Sequence, residues 1–259
     1  MKTIYSCVSH SVFNDDAFIL LDHVAPMKPR LIFMDPPFNI GQDYEDFNDA
    51  MTDTQYKEFL SQLIAMATLT VSANGSIWLN LPDHWAADAI QFARLCGLHL
   101  ENWCIWHYRF AVCQPHRFLR AKTHALWFSR GQPLVNADAA RVPSDRAMIY
   151  EDVRVDETEN GGTRMDFDVW GFDQYWGRIQ GNNKERGITP NQLPEKYLER
   201  VVGVCTNPGD LVVDPFCGSG TTATVAVTMG RVAITGDTSV SYCRAAADRI
   251  SRGAIRCHR

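Results

Sequence analysis

The sequence predicts an α/β fold: a doubly wound, mainly parallel sheet with helices on both faces, broken by one irregular insertion. Three observations lead there. Short apolar runs with β-branched or aromatic centres occupy 30–35, 76–81, 103–108, 124–129, 210–214 and 231–236. Apolar residues at helical spacing fill much of the chain between them, and strands that alternate with helices pair in parallel and are buried on both faces. Two of the runs end in a carboxylate followed by a proline, at Asp35 and at Asp214, the position at which open α/β sheets bind their ligands.

In chain order, the strand at 30–35 is followed by a helix over 52–72. Phe59, Leu63, Ile64, Met66, Ala67 and Leu69 recur there at helical spacing, and Thr52 is placed to cap its start. A second helical pattern lies between Leu81 and Leu98, with Gly97 as its stop. The strands at 103–108 and 124–129 come next. From Gly131 to about Gly187 the rhythm fails. This stretch is polar and glycine-dotted, with a loop at 159–163, and it carries Trp170, Phe172, Tyr175, Trp176, Arg178, Lys184 and Arg186. An irregular segment of this length inside a regular fold is usually functional. The alternation then resumes with the strand at 210–214, a glycine turn, a helix over 221–230, the strand at 231–236 and a helix over 241–250.

Composition narrows the function classes. A chain of 259 residues with 46% apolar content can bury a full core. No apolar run approaches the ~18 residues of a membrane span, and the first ten residues lack a secretory apolar stretch, so a cytoplasmic location is expected. The eight cysteines include no Cys-x-x-Cys pair and read as reduced thiols. Three Cys-x-x-His pairs occur, Cys96/His99, Cys104/His107 and Cys113/His116. A structural zinc site needs four converging ligands, and strand positions three apart face opposite ways, so no metal is expected. The net charge of -5 conceals an asymmetry: no acid lies between Asn102 and Ala137, whereas Arg109, Arg117, Arg120, Lys122 and Arg130 do. A basic stripe on an acidic body can follow phosphates without a high overall charge.

Two segments carry chemistry. In Asp35-Pro36-Pro37-Phe38 the prolines remove two N–H donors and fix the backbone, so the turn presents carbonyl acceptors beside the Asp35 carboxylate. Such an array suits an amine with two hydrogens to give, and Phe38 adds a flat face for a planar base. In Asp214-Pro215-Phe216-Cys217-Gly218-Ser219-Gly220-Thr221 the glycines admit a ligand to the backbone at the start of a helix. Gly218-x-Gly220-x-x-Ala223 also fits a dinucleotide fingerprint, with Asp237 at the end of the next strand where ribose hydroxyls are held. A nicotinamide oxidoreductase is therefore open on this motif alone. Asp214, placed just before the turn, suits a cationic amino group better than a pyrophosphate, which points to an amino-acid–nucleoside hybrid, S-adenosylmethionine.

With these motifs in this order the chain resembles the DNA amino-methyltransferases of the adenine-N6/cytosine-N4 type, in the permuted arrangement called the β class. There the Asp-Pro-Pro-aromatic motif comes first and the Phe-x-Gly-x-Gly motif last. The resemblance runs through Asn14-Asp15-Asp16-Ala17, Asp35-Pro36-Pro37-Phe38-Asn39-Ile40-Gly41, Asn191-Gln192-Leu193-Pro194-Glu195, the run from Asn207 to Phe216, Gly230-Arg231 and 242–249. It implies a fold of the S-adenosylmethionine-dependent methyltransferase type. Residues 1–130 would be the catalytic half, 131–187 a target-recognition insertion and 188–259 the cofactor-binding half. It further implies that Asp35 and the Pro36 carbonyl hold the target amine, with Pro37 shaping the turn and Phe38 stacking on the extruded base. The cofactor would meet Asp214 at its amino group and Asp237 at its ribose. Phe216, Gly218, Ser219, Gly220 and Thr221 would shape its pocket, with Asp16 near its adenine and Gln192 in the segment bordering its methionine end. Arg117, Arg120, Lys122, Arg178, Lys184 and Arg186 would contact DNA.

The sequence departs from the family pattern in three places. Phe38 stands where tyrosine is frequent. Thr189-Pro190-Asn191-Gln192-Leu193-Pro194 lacks the His and Lys of a common His-Pro-x-Gln-Lys-Pro segment. Asp237 stands for a more usual glutamate. The lysine loss bears on how the cofactor carboxylate is held. The expected activity is methylation of adenine N6 in double-stranded DNA, with cytosine N4 as the alternative. An RNA base-amine methyltransferase fits less well because those enzymes place the cofactor motif first. A nicotinamide oxidoreductase leaves Asp35 to Phe38 unexplained, and a DNA-binding protein without turnover leaves the three carboxylates idle. A cognate restriction endonuclease, no membrane, and a monomeric or homodimeric state complete the expectations.

Overall fold

The structure, a computed structural model, describes residues 1–42, 49–109, 115–171, 179, 183–189 and 191–257. Its strands are β1 (Lys2–Ser6), β2 (His10–Asn14), β3 (Leu31–Met34), β4 (Ser76–Leu81), β5 (His99–His107), β6 (Lys122–Ser129), β7 (Arg141–Pro143), β8 (Thr163–Met165), β9 (Val169–Trp170), β10 (Leu211–Asp214) and β11 (Val232–Asp237). Its helices are α1 (Ala17–Val24), α2 (Asp53–Thr70), α3 (Asp83–Leu95), α4 (Asp145–Met148), α5 (Glu195–Cys205), α6 (Thr221–Thr228) and α7 (Val240–Arg252). Among the described residues nine strands form one sheet in the order β1-β2-β11-β10-β3-β4-β6-β5-β9, and β7 and β8 form a separate ribbon.

The five central strands from β2 to β4 run parallel. Their alternating side chains feed two cores. Ile32, Met34, Ile77, Leu79 and Val213 face α1, α2 and α3, whereas Leu31, Phe33, Trp78 and Val212 face α5, α6 and α7. Because strand residues alternate between faces, every central strand must be apolar on both sides, which is why these runs were visible as continuous hydrophobic stretches. Thr52 caps α2 in a full capping box with Gln55, and Gly97 leaves α3 in a left-handed conformation, φ +78°.

Several elements go beyond the sequence expectations. The hairpin β1–β2, the helix α1 and the helix α5 were not anticipated. β2 is only five residues long and α1 only eight, too short for periodicity to stand out. The expected strand at 103–108 is the second half of a longer β5, whose first half is mostly exposed and polar. The part of 131–187 that is described holds the β7–β8 ribbon, α4, and β9, which extends the sheet by pairing with β5.

Candidate active site

The C-terminal ends of β3 and β10, adjacent and parallel, bring the two carboxylate turns to one rim. They face each other across a cavity of about 310 Å³. Asp35, Pro36, Pro37 and Phe38 form one wall, and Asp214, Pro215, Phe216, Cys217, Gly218, Ser219, Thr221 and Thr222 another. Asp16, Gln192 and Asp237 also reach it. A chain separation of some 180 residues is thus closed by one strand pairing.

The first turn is held from outside. The Tyr56 hydroxyl donates to the Pro37 carbonyl at 2.5 Å, and Trp85 Nε1 donates to the Phe38 carbonyl at 3.0 Å. These two carbonyls anchor the turn to α2 and α3, so the acceptors left for a ligand are Asp35 and the Pro36 carbonyl. Beyond Phe38 the chain turns through Asn39 at φ +55°. The buried Asp49 carboxylate clasps that turn, accepting the backbone N–H of Asn39 at 2.7 Å, of Ile40 at 3.1 Å and of Gln42 at 3.0 Å. Burial and the charge of Asp214 push the Asp35 carboxyl up to about 7, with the neighbouring Asn80 side chain acting the other way.

The second turn is built around Asp214 and Asp237. Burial raises the Asp214 carboxyl to about 7. Hydrogen bonds from Thr222 and the Phe216 N–H act against that shift, and the Asp237 charge adds to it. Asp237 braces the loop: Oδ2 accepts the Gly218 N–H at 3.0 Å and Oδ1 the Ser239 N–H at 3.0 Å. Gly218, at φ +47°, lies on the cavity wall. Beneath the loop the buried Arg249 donates to Ser219 Oγ at 3.1 Å and Thr221 Oγ1 at 2.7 Å, and pairs with Glu195 at 2.9 Å. The Cys217 thiol on the wall is pushed up by a hydrogen bond with Cys243 and by burial, which keeps it protonated and unsuited to act as a nucleophile.

Several expected residues have other work. Gly220 does not line the cavity. It starts α6 at φ +75°, and a Cβ there would lie 2.7 Å from Ala246 Cβ, so its glycine serves the packing of α6 on α7. Gln192 lines the cavity, but its amide is used on backbone: Oε1 accepts the Gly187 N–H at 2.6 Å and Nε2 donates to the Glu185 carbonyl at 2.6 Å. Asp16 caps α1 by accepting the Phe18 N–H at 2.8 Å. Arg120 and Lys122 lie beside the same rim, because β6 starts opposite the end of β4. Both approach Asp83, at 3.7 and 3.2 Å, so an acid from α3 neutralises part of the expected stripe. Arg117, Lys184 and Arg186 are exposed, and Arg178 lies outside the described residues. Sequence reasoning missed Trp106, Tyr108 and Thr123, which also line the cavity. The alternation of Trp106 and Tyr108 on one strand face was their available signal.

The family model N6_N4_Mtase, described as DNA methylase, matches residues 30–248 and so spans both turns. The chain belongs to the DNA methylase family. This methylase is 27% identical over 237 residues to the DNA adenine methyltransferase YhdJ of Escherichia coli (strain K12), covering 85% of the chain and 76% of that protein. Among solved structures it superposes on PvuII DNA methyltransferase (cytosine-N4-specific) with a TM-score of 0.73 at 18% identity, covering 96% of the chain and 88% of the other. It matches the M1.HpyAVI-SAM complex with a TM-score of 0.67 at 19% identity, covering 93% and 98%. The methylase therefore has the fold of these structures, an α/β sheet with a mostly parallel centre. Among its described helices none is long and apolar enough to cross a membrane.

Proposed function

We propose that this DNA methylase transfers a methyl group from S-adenosylmethionine to N6 of an adenine turned out of double-stranded DNA. The observation that carries the reading is the meeting of Asp35-Pro36-Pro37-Phe38 and the Asp214 turn across one cavity. The donor set fits the cofactor. Asp214 is a buried carboxyl whose shift to about 7 is set by burial and the Asp237 charge, with no cation offsetting it among the described residues, which suits an ammonium group. Asp237 stands at the end of the adjacent strand for the ribose, the left-handed Gly218 admits a ligand to the backbone, and Phe216 offers an apolar edge. Bound there, S-adenosylmethionine supplies an electrophilic sulfonium methyl.

The chain's own residues act on the base. An exocyclic amine is a poor nucleophile because its lone pair is delocalised into the ring. Asp35 and the Pro36 carbonyl, accepting its two hydrogens out of the ring plane, draw the nitrogen toward tetrahedral geometry and free the pair. Phe38, with Trp106 and Tyr108 on the same cavity, encloses the ring and excludes water, so orientation and charge placement supply most of the catalysis. A carboxyl held at about 7 can also take the proton the amine sheds. Extruding the base costs a few kcal/mol. Arg120 and Lys122 beside the rim, with Arg117, Lys184, Arg186 and the wider segment 131–187, would supply phosphate contacts and sequence reading.

Adenine is favoured over cytosine by Asp at the first motif position and by the name of the YhdJ relative, which covers most of both chains. The cytosine-N4-specific neighbour is similar at 18% identity and speaks for the fold. A cognate restriction endonuclease is the partner such a modification would serve, with the chain acting as a monomer or homodimer. Incubating mixed-sequence duplex DNA with methyl-labelled S-adenosylmethionine, then separating the nucleosides, tests the reading. Label in N6-methyl-2′-deoxyadenosine is expected; label in N4-methyl-2′-deoxycytidine would move the target, and unlabelled DNA would contradict the function.

A further inference from the structure

β3 and β4 pair in parallel with Phe33 beside Trp78 and Met34 beside Leu79. The next residues in this register are Asp35 and Asn80, neighbours on the face that carries Phe33 and Trp78. Asn80 is fully buried. From the covering helix α5 the Tyr197 hydroxyl donates to Asn80 Oδ1 at 2.6 Å. Tyr197 is itself fully buried, its ring held edge-on by Phe33, Trp106 and Trp170 at centroid distances of 6.1, 5.7 and 5.5 Å. A phenol kept protonated by burial has one hydrogen to give, so the carbonyl side of the amide is fixed as the acceptor and Nδ2 must point away. Nδ2 is buried without a bonded acceptor of ordinary geometry among the described residues, and the ionisable group beside it is the Asp35 carboxyl. An apolar residue of the same volume would fill this place without stranding an amide nitrogen.

We propose that Asn80, oriented by Tyr197, is a positioning residue for Asp35: its Nδ2–H2 engages one carboxylate oxygen and leaves the other turned to the target amine. The inference rests on the reading of Asp35 as the amine acceptor and deepens it. A donor to a carboxylate favours the charged form, so its loss must keep Asp35 protonated to higher pH. The groups facing Asp35 are Asp214 from β10, the Tyr197 phenol from α5 and Asn80 from β4. Among these described groups, Asn80 favours the carboxylate.

Asn80→Ala, Tyr197→Phe, the double variant and Asp35→Ala would be compared with the parent chain for cofactor affinity, thermal unfolding and the pH profile of kcat. In Asn80→Ala kcat should fall about 10- to 100-fold, the worth of a hydrogen bond to a charged group, with cofactor Kd held within about twofold and the acidic limb moved to higher pH. Tyr197→Phe should fall less, about 3- to 10-fold, with the same displacement, and the double variant should be no worse than Asn80→Ala because the two act as one unit. Should Asn80→Ala not fold, Asn80→Ser and Tyr197→Phe carry the same test. An unmoved acidic limb with kcat retained, whatever the loss of thermal stability, overturns the proposal and leaves the role of Asp35 standing. Full activity in Asp35→Ala overturns the reading beneath it.

Discussion

At the scale of single residues the site is governed by two carboxyls kept out of water. Asp214 has an ordinary value of 3.8 and is raised to about 7 in the fold. Between those values the folded chain binds protons that the unfolded chain has released, so this group lowers stability as pH rises from about 4 to about 7. A cation bound beside it stabilises the carboxylate, so binding expels a proton. The affinity for S-adenosylmethionine should therefore tighten as pH climbs through about 7, and calorimetric titrations from pH 5.5 to 8.5 should follow it. Asp214→Asn should bind more weakly and lose most of that dependence; a parent affinity indifferent to pH would assign the cofactor's charge to another partner. Asp35, Asp214 and Asp237 were legible in the sequence because each closes an apolar run. Asp49 and Asn80 were not. Asp49 acts through backbone N–H groups seven to ten positions away, and Asn80 through a tyrosine 117 positions away, so no local pattern marks either.

At the scale of elements, the loop from Asp214 to Thr221 depends on what packs beneath it. Gly220 allows α6 to approach α7 closely, and it sits where a side chain is strained both by φ and by Ala246. Gly220→Ala should destabilise the chain by about 1–3 kcal/mol in urea denaturation, as over-packing does, and should weaken cofactor binding by displacing the loop. A stability within 0.5 kcal/mol of the parent, the ordinary range for a harmless surface change, would disprove the packing role. The fingerprint spacing identified this glycine but not its use, since a glycine that admits a ligand and one that admits a neighbouring helix read alike. The loop entering β6 offers a second test. Asp83 now holds Lys122 and Arg120. Asp83→Asn should release both toward phosphate, tightening duplex binding at low salt and steepening the slope of log Kd against log salt by up to about 0.9 per phosphate gained. An unchanged slope would mean that these cations do not meet DNA. Sequence charge alone revealed the stripe, but its acidic partner comes from a separate helix that precedes it by almost forty residues.

At the scale of the whole molecule, the order of motifs along the chain and their order in space differ. The Asp35 turn precedes the Asp214 turn by most of the chain, yet β3 and β10 are neighbours in the sheet. A parallel sheet sends the C-terminal ends of all its central strands to one rim, so any ligand-bearing turn on those strands shares one cavity, whatever its position in sequence. This is why the fold class and both turns could be read from apolar runs and proline punctuation. The hairpin β1–β2 and α1 escaped because their periodicity is brief, and the strand β9 because two residues give no period; α5, eleven residues with an apolar face, was legible by its spacing and was overlooked. The place of Trp170 within the segment 131–187 escaped too, since it packs on the distant aromatics Trp78 and Tyr197. The account as a whole asserts that the cavity holds a methyl donor on the Asp214 side and a base amine on the Asp35 side. Asp35→Ala separates the two most directly, when cofactor binding and single-turnover transfer of labelled methyl to DNA are measured on the same preparation. The account predicts cofactor affinity within a few-fold of the parent chain and no transferred label; transfer at the parent rate would contradict it.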